Sequence, residues 1–80
     1  MTSPSLSHPL RSEAEARRQL YEDTVEDAAN LAGRAEEALR RAKQVSRSTQ
    51  FKSAFFQVAE AKLIDALAKI HTAREQMEKL

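Results

Sequence analysis

Eighty residues allow one small domain, and with no cysteine that domain has neither a disulfide nor a thiolate metal site to staple it. Apolar residues make up 41% and charged residues 31%, with one glycine and two prolines, which is the composition of long helices or coiled coils and argues against β structure. A net charge of +1 is too balanced to imply nucleic acid or a membrane surface by itself.

Residues 1–11 hold both prolines, Pro4 and Pro9, and show no periodicity, so they are expected to form a flexible tail. The N-terminus has no basic start followed by an apolar core, and no later run approaches the roughly 20 apolar residues that span a bilayer. The expected address is therefore the cytoplasm, without membrane contact. Ser12-Glu13-Ala14-Glu15 reads as a capping box, with the Ser12 hydroxyl and the Glu15 carboxylate each meeting the other's backbone N–H. It is expected to open a helix over residues 12–45. Ala14, Tyr21, Val25, Ala28, Ala32, Ala35, Leu39 and Ala42 form its seam, with Thr24, Leu31, Ala38 and Val45 running alongside at sevenfold spacing. Gly33 falls just off that seam, as a tolerated exposed glycine or a point of close approach.

Ser46 to Gln50 are five successive polar residues, and a turn over 46–49 is expected to fold the chain back, with Ser48 as the next cap. A second helix over 49–79 then carries Phe56, Ala59, Leu63, Ala66, Ile70, Ala73, Met77 and Leu80 on one face. The fold class is thus all-α, an antiparallel two-helix hairpin with coiled-coil-like packing. Leu39 should face Phe56, Ala32 should face Leu63, Val25 should face Ile70, and Tyr21 should face Ala73 or Arg74. One seam cannot use every apolar residue of the second helix. Phe51, Phe55 and Val58 lie to one side of it and Ile64 and Leu67 to the other, and these five are the expected partner-binding residues.

No catalytic, cofactor or metal constellation is recognisable, and a non-enzymatic protein without cofactors is expected. His8 and His71 lack metal-binding spacing; Glu22, Asp23, Glu26 and Asp27 lack a cation-wrapping loop and read as a solvated face. Arg40, Arg41, Lys43, Arg47 and Lys52 surround the turn. Cations at a helix C-terminus complement its dipole, and that explanation is preferred over nucleic-acid binding.

The segment from Phe55-Phe56-Gln57 through Ala61-Lys62-Leu63-Ile64-Asp65-Ala66-Leu67-Ala68-Lys69-Ile70-His71 resembles the second helix of the YscE-like co-chaperones of bacterial type III secretion. The resemblance implies a small cytoplasmic hairpin that binds a tetratricopeptide-repeat (TPR-type) chaperone. Together the two would hold a needle subunit soluble before export. The alternative expectation is a homo-oligomer, a four-helix bundle with a structural or regulatory role, touching nucleic acid through the basic turn.

Overall fold

The computed structural model describes the backbone of residues 9–45 and 49–80, with side chains at 12–45, 50 and 52–80. Two helices, α1 (Pro9–Gln44) and α2 (Thr49–Glu78), pack against each other along their lengths as an all-α hairpin. The chain is only 12 Å thick in its thinnest direction, so the hairpin is a single layer of helices.

The start of α1 differs from expectation. The helix begins at Pro9, which places Ser12 inside the first turns and leaves the Ser12–Glu15 box with no helix end to cap. Proline explains the shift: its fixed φ suits the first helical position, where its missing N–H costs nothing. Glu13 pairs along the helix with Arg17 at 3.6 Å. Residues 1–8 of the expected tail and 46–48 of the expected turn, Ser48 included, lie outside the described residues. On either side of 46–48 the backbone is helical to Gln44 and from Thr49, and the Val45 N–H donates to the Arg41 carbonyl at 3.0 Å. At the other end the Lys79 and Leu80 N–H groups donate to the Gln76 and Met77 carbonyls, tightening the last turn of α2.

The core is made of small residues. Ala35, Ala38 and Ala42 of α1 and Ala59, Ala66 and Ala73 of α2 are buried, with Thr24 beside them, and among the described residues no large side chain is fully buried. On α1 the packed face runs Tyr21, Thr24, Ala28, Leu31, Ala35, Ala38, Ala42 and Val45, a continuous three-four alternation. It joins half of the expected seam to the column that was expected to run beside it. Val25, Ala32 and Leu39 turn outward instead. On α2 the buried line is Ala59, Ala66 and Ala73, while Phe56, Leu63, Ile70 and Met77 are each about half exposed. The physical reason is room. Helix axes approach to about 8 Å only where small side chains meet, and a leucine or phenylalanine at the centre of the seam would hold them apart. Thr24 fits because its hydroxyl donates to the Leu20 carbonyl within α1 at 2.9 Å, leaving no unpaired buried donor.

The register of the pairing follows the expected one. Leu39 shares a groove with Phe56 and Leu63, and Tyr21 and Val25 share one with Ile70, Ala73 and Arg74. Among the described residues one ion pair crosses the hairpin, Lys69 Nζ to Asp27 Oδ2 at 3.7 Å. The arms are unequal, 36 residues against 30, so the first turns of α1 extend past the end of α2.

Two substitutions test this core. Ala66→Leu places a large side chain on the closest line of approach and should lower unfolding stability by about 1–3 kcal/mol in urea titrations followed by circular dichroism. Gly33 has nothing within 4 Å of where a Cβ would sit. Gly33→Ala should therefore raise stability by about 1 kcal/mol in the same titration, through helix propensity alone.

Candidate interaction surface

Because the alanine seam closes the hairpin, the large apolar residues of α2 are divided between its two flanks, and the flanks differ in chemistry. Successive side chains on a helix diverge by about 100°, so Phe55 and Phe56 must leave the seam in opposite directions.

On the first flank, Val25 and Leu39 of α1 stand beside Phe56, Leu63, Ile70 and Met77 of α2. Leu39, Phe56 and Leu63 line a shallow groove near the turn, and Val25, Ile70 and Met77 line another toward the open end. Leu67 and Ile64 follow around α2 at the adjoining helical positions, 54% and 66% exposed. Together these residues make one apolar strip along the hairpin, whose charged neighbours include Lys52, Glu60 and Arg74, with Glu22 and Glu26 beside Val25. Strips of this kind on single-layer folds are interaction surfaces, because water contact with contiguous apolar area is unfavourable and a second layer removes it.

The second flank is charged. Phe55 is half-buried there, in a groove with Arg34, Glu37, Ala38, Arg41, Val58 and Lys62. Farther along lie the Asp27–Lys69 pair and then Leu20 in a groove with Arg17, Thr72, Glu75, Gln76 and Lys79. Cations and anions are mixed here, and they separate the neighbouring Phe55 and Val58 from Leu20.

This arrangement redistributes the five expected contact residues. Ile64 and Leu67 are exposed on the apolar strip. Val58 is exposed on the charged flank, and Phe55 beside it is half-buried, not free on an aromatic edge. Phe55 reaches over Ala38, whose small side chain leaves space for a ring. Phe51 lies in α2, and its side chain is outside the described residues. Phe56, Leu63, Ile70 and Met77 were expected to close the seam, yet they form the larger part of the exposed strip. Counting helical positions cannot separate these alternatives, since adjacent columns at sevenfold spacing differ by only about 50° around the helix axis. The alternation of alanine with large residues was the available signal, because only the alanine column allows close approach.

Two of the cations near the turn are paired within α1. Arg40 and Arg41 reach back one helical turn to Glu36 and Glu37, at 3.1 and 3.4 Å. Among the acids of the first half, Asp23 accepts from the Gln19 side-chain amide at 2.9 Å and Asp27 pairs with Lys69. His71 is exposed on α2. Among the described residues no three or more His, Cys, Asp or Glu side chains are placed to hold a metal ion. No helix among them is long and apolar enough to cross a membrane.

Compared with known proteins, the chain matches no family model, and no significant match was found among curated proteins or solved structures.

The two adjacent phenylalanines give a direct test of the division between flanks. Phe55→Glu should destabilise the hairpin by about 2 kcal/mol, because it places a charge in a half-buried site. Phe56→Glu should change stability by less than about 0.5 kcal/mol, because its ring is half in water already. Thermal melts of the two variants at submicromolar concentration, where the hairpin is read free of association, give the difference.

Proposed function

We propose that this protein is a non-enzymatic co-chaperone or adaptor. Its apolar strip docks on a helical-repeat chaperone of the TPR type, and the pair keeps a type III secretion needle subunit soluble in the bacterial cytoplasm before export. One observation carries the binding part of this reading. The strip of Val25, Leu39, Phe56, Leu63, Leu67, Ile70 and Met77 runs along one side of a single-layer hairpin, and among the described residues no second layer covers it. The secretion part rests on the likeness of Phe55–His71 to the second helix of the YscE-like co-chaperones.

The mechanism is burial and linkage. A helical-repeat protein presents a concave surface lined by helices, and an amphipathic helix lays its apolar face into such a groove through residues at three- and four-residue spacing. Phe56, Leu63, Ile70 and Met77 recur every seven residues, and Leu67 supplies the four- and three-residue steps between Leu63 and Ile70. Covering them stabilises both partners by mass action, since each binds the folded form of the other; at a hundredfold excess over Kd the gain is about 2.7 kcal/mol. An alanine-cored hairpin gains most from such a contact, because its own core buries little apolar area per residue.

Co-expression with a candidate helical-repeat chaperone and a needle subunit tests the proposal. A soluble ternary complex is expected with the native chain. Phe56→Glu or Ile70→Glu should lose it while the free variant keeps its helical circular dichroism spectrum. Val58→Glu, on the charged flank, should retain it. A complex that survives both strip substitutions would sink this reading, as would one that forms only through the charged flank.

A further inference from the structure

The outer flank of α2 has a feature that a surface for a dissimilar partner does not require: it is complementary to itself when reversed. Glu60, Leu67 and Arg74 lie on one line at sevenfold spacing, and all three are exposed. Leu63 and Ile70 lie on the line to one side of it, continued by Phe56 and Met77; Ile64 and His71 lie on the other. Neither Glu60 nor Arg74 has an ion-pair partner among the described residues, although ion pairs are formed by Glu13, Glu36, Glu37 and Asp27.

Turning α2 end for end about Leu67 exchanges Glu60 with Arg74, Leu63 with Ile70, Phe56 with Met77 and Ile64 with His71. Every apolar residue of the stripe beside the seam lands on an apolar residue, and each charge lands on its opposite. A two-fold interface has this property, since residue i meets j and j meets i. We infer that a second copy of this chain covers the flank, with the α2 helices antiparallel about a two-fold axis at Leu67. Leu67 then packs on its own symmetry mate, Leu63 on Ile70 of the second copy, and Glu60 pairs with Arg74 of the second copy at both ends.

The area is of the right order. Phe56, Leu63, Ile64, Leu67, Ile70 and Met77, each about half exposed or more, supply roughly 600 Å² of surface per chain, before Glu60 and Arg74 are counted, against ~800 Å² per partner in a standard interface. The opposite orientation is less favourable. Parallel α2 helices in register set Glu60 against Glu60 and Arg74 against Arg74, so like charges meet twice. The charged flank offers no such symmetry, since Asp27 and Lys69 already satisfy each other across the hairpin.

The inference rests on the proposed reading that this strip is an interface, and it adds that the free protein is a homodimer through the same residues. Self-association and docking on a chaperone are then mutually exclusive, and the chaperone must displace the second copy.

The absence of native cysteine gives a clean probe. Leu67→Cys should oxidise to a disulfide-linked dimer on a non-reducing gel, because a residue on a two-fold axis meets itself, while Val58→Cys on the other flank should remain monomeric. Sedimentation equilibrium of the native chain at tens of micromolar should give a dimer. Glu60→Arg and Arg74→Glu should each weaken it by about tenfold, and the double exchange E60R/R74E should recover most of the loss. A monomeric native chain would overturn the inference, and so would a dimer in which Leu67→Cys fails to cross-link or the double exchange fails to restore association. Either result leaves co-expression with Phe56→Glu as a separate test of the chaperone reading.

Discussion

Packing of Ala35 and Ala38 against Ala59, with Ala42, Ala66 and Ala73 buried along the same seam, is the constraint from which the remaining features follow. Alanine contributes little hydrophobic burial by itself, but it sets the distance between the helices. At the short end of the range, roughly 8 Å, backbone and Cβ atoms of facing helices touch directly and a large side chain on the centre line has nowhere to go. The large residues of α2 are therefore displaced to the flanks, while Tyr21 and Leu31 of α1 sit half-buried on the packed face. Among the described residues no large side chain is fully buried.

That displacement links the fold to the function proposed for it. A hairpin closed by alanine forfeits most of the stabilisation that its leucines, isoleucine and phenylalanine would provide in a core, about 1.5–3 kcal/mol for each side chain fully buried. The same side chains are instead held on a rigid helical surface at half exposure, where a partner recovers that burial. Small domains without disulfides or metals are commonly completed by association, and this chain has no cysteine with which to do otherwise.

The two flanks divide the remaining work. Lys69 and Asp27 bridge the helices on the charged side, at an exposed site where such a pair is worth at most about 1 kcal/mol. Its use is in register: sliding one helix by a turn would separate the pair. Mixed charge on that side also keeps Phe55 and Val58 from joining Leu20 in a second continuous apolar strip, which restricts docking to one face.

The helical hairpin, its direction reversal after Val45 and its register were legible in the sequence, because periodicity, a polar run between two long amphipathic segments and the matching of facing positions are local properties. The start of α1 was not: Ser12 with Glu15 and Pro9 are both valid opening signals, and only the backbone trace shows that the proline prevailed. The rotation of each helix was not legible either. Phe56, Leu63, Ile70 and Met77 are separated from Ala59, Ala66 and Ala73 by half the width of an apolar stripe, and hydrophobicity alone favours the larger set for the core. Which column faces inward depends on how near the other helix comes, a distance that neither helix carries in its own sequence. The sequence by itself determined that this protein would be a hairpin with more apolar surface than one seam can absorb. Only the tertiary structure decided that alanine would fill the seam, that Phe55 would be half-covered beside Ala38, and that Phe56 with Leu63, Ile70 and Met77 would be the surface left in water.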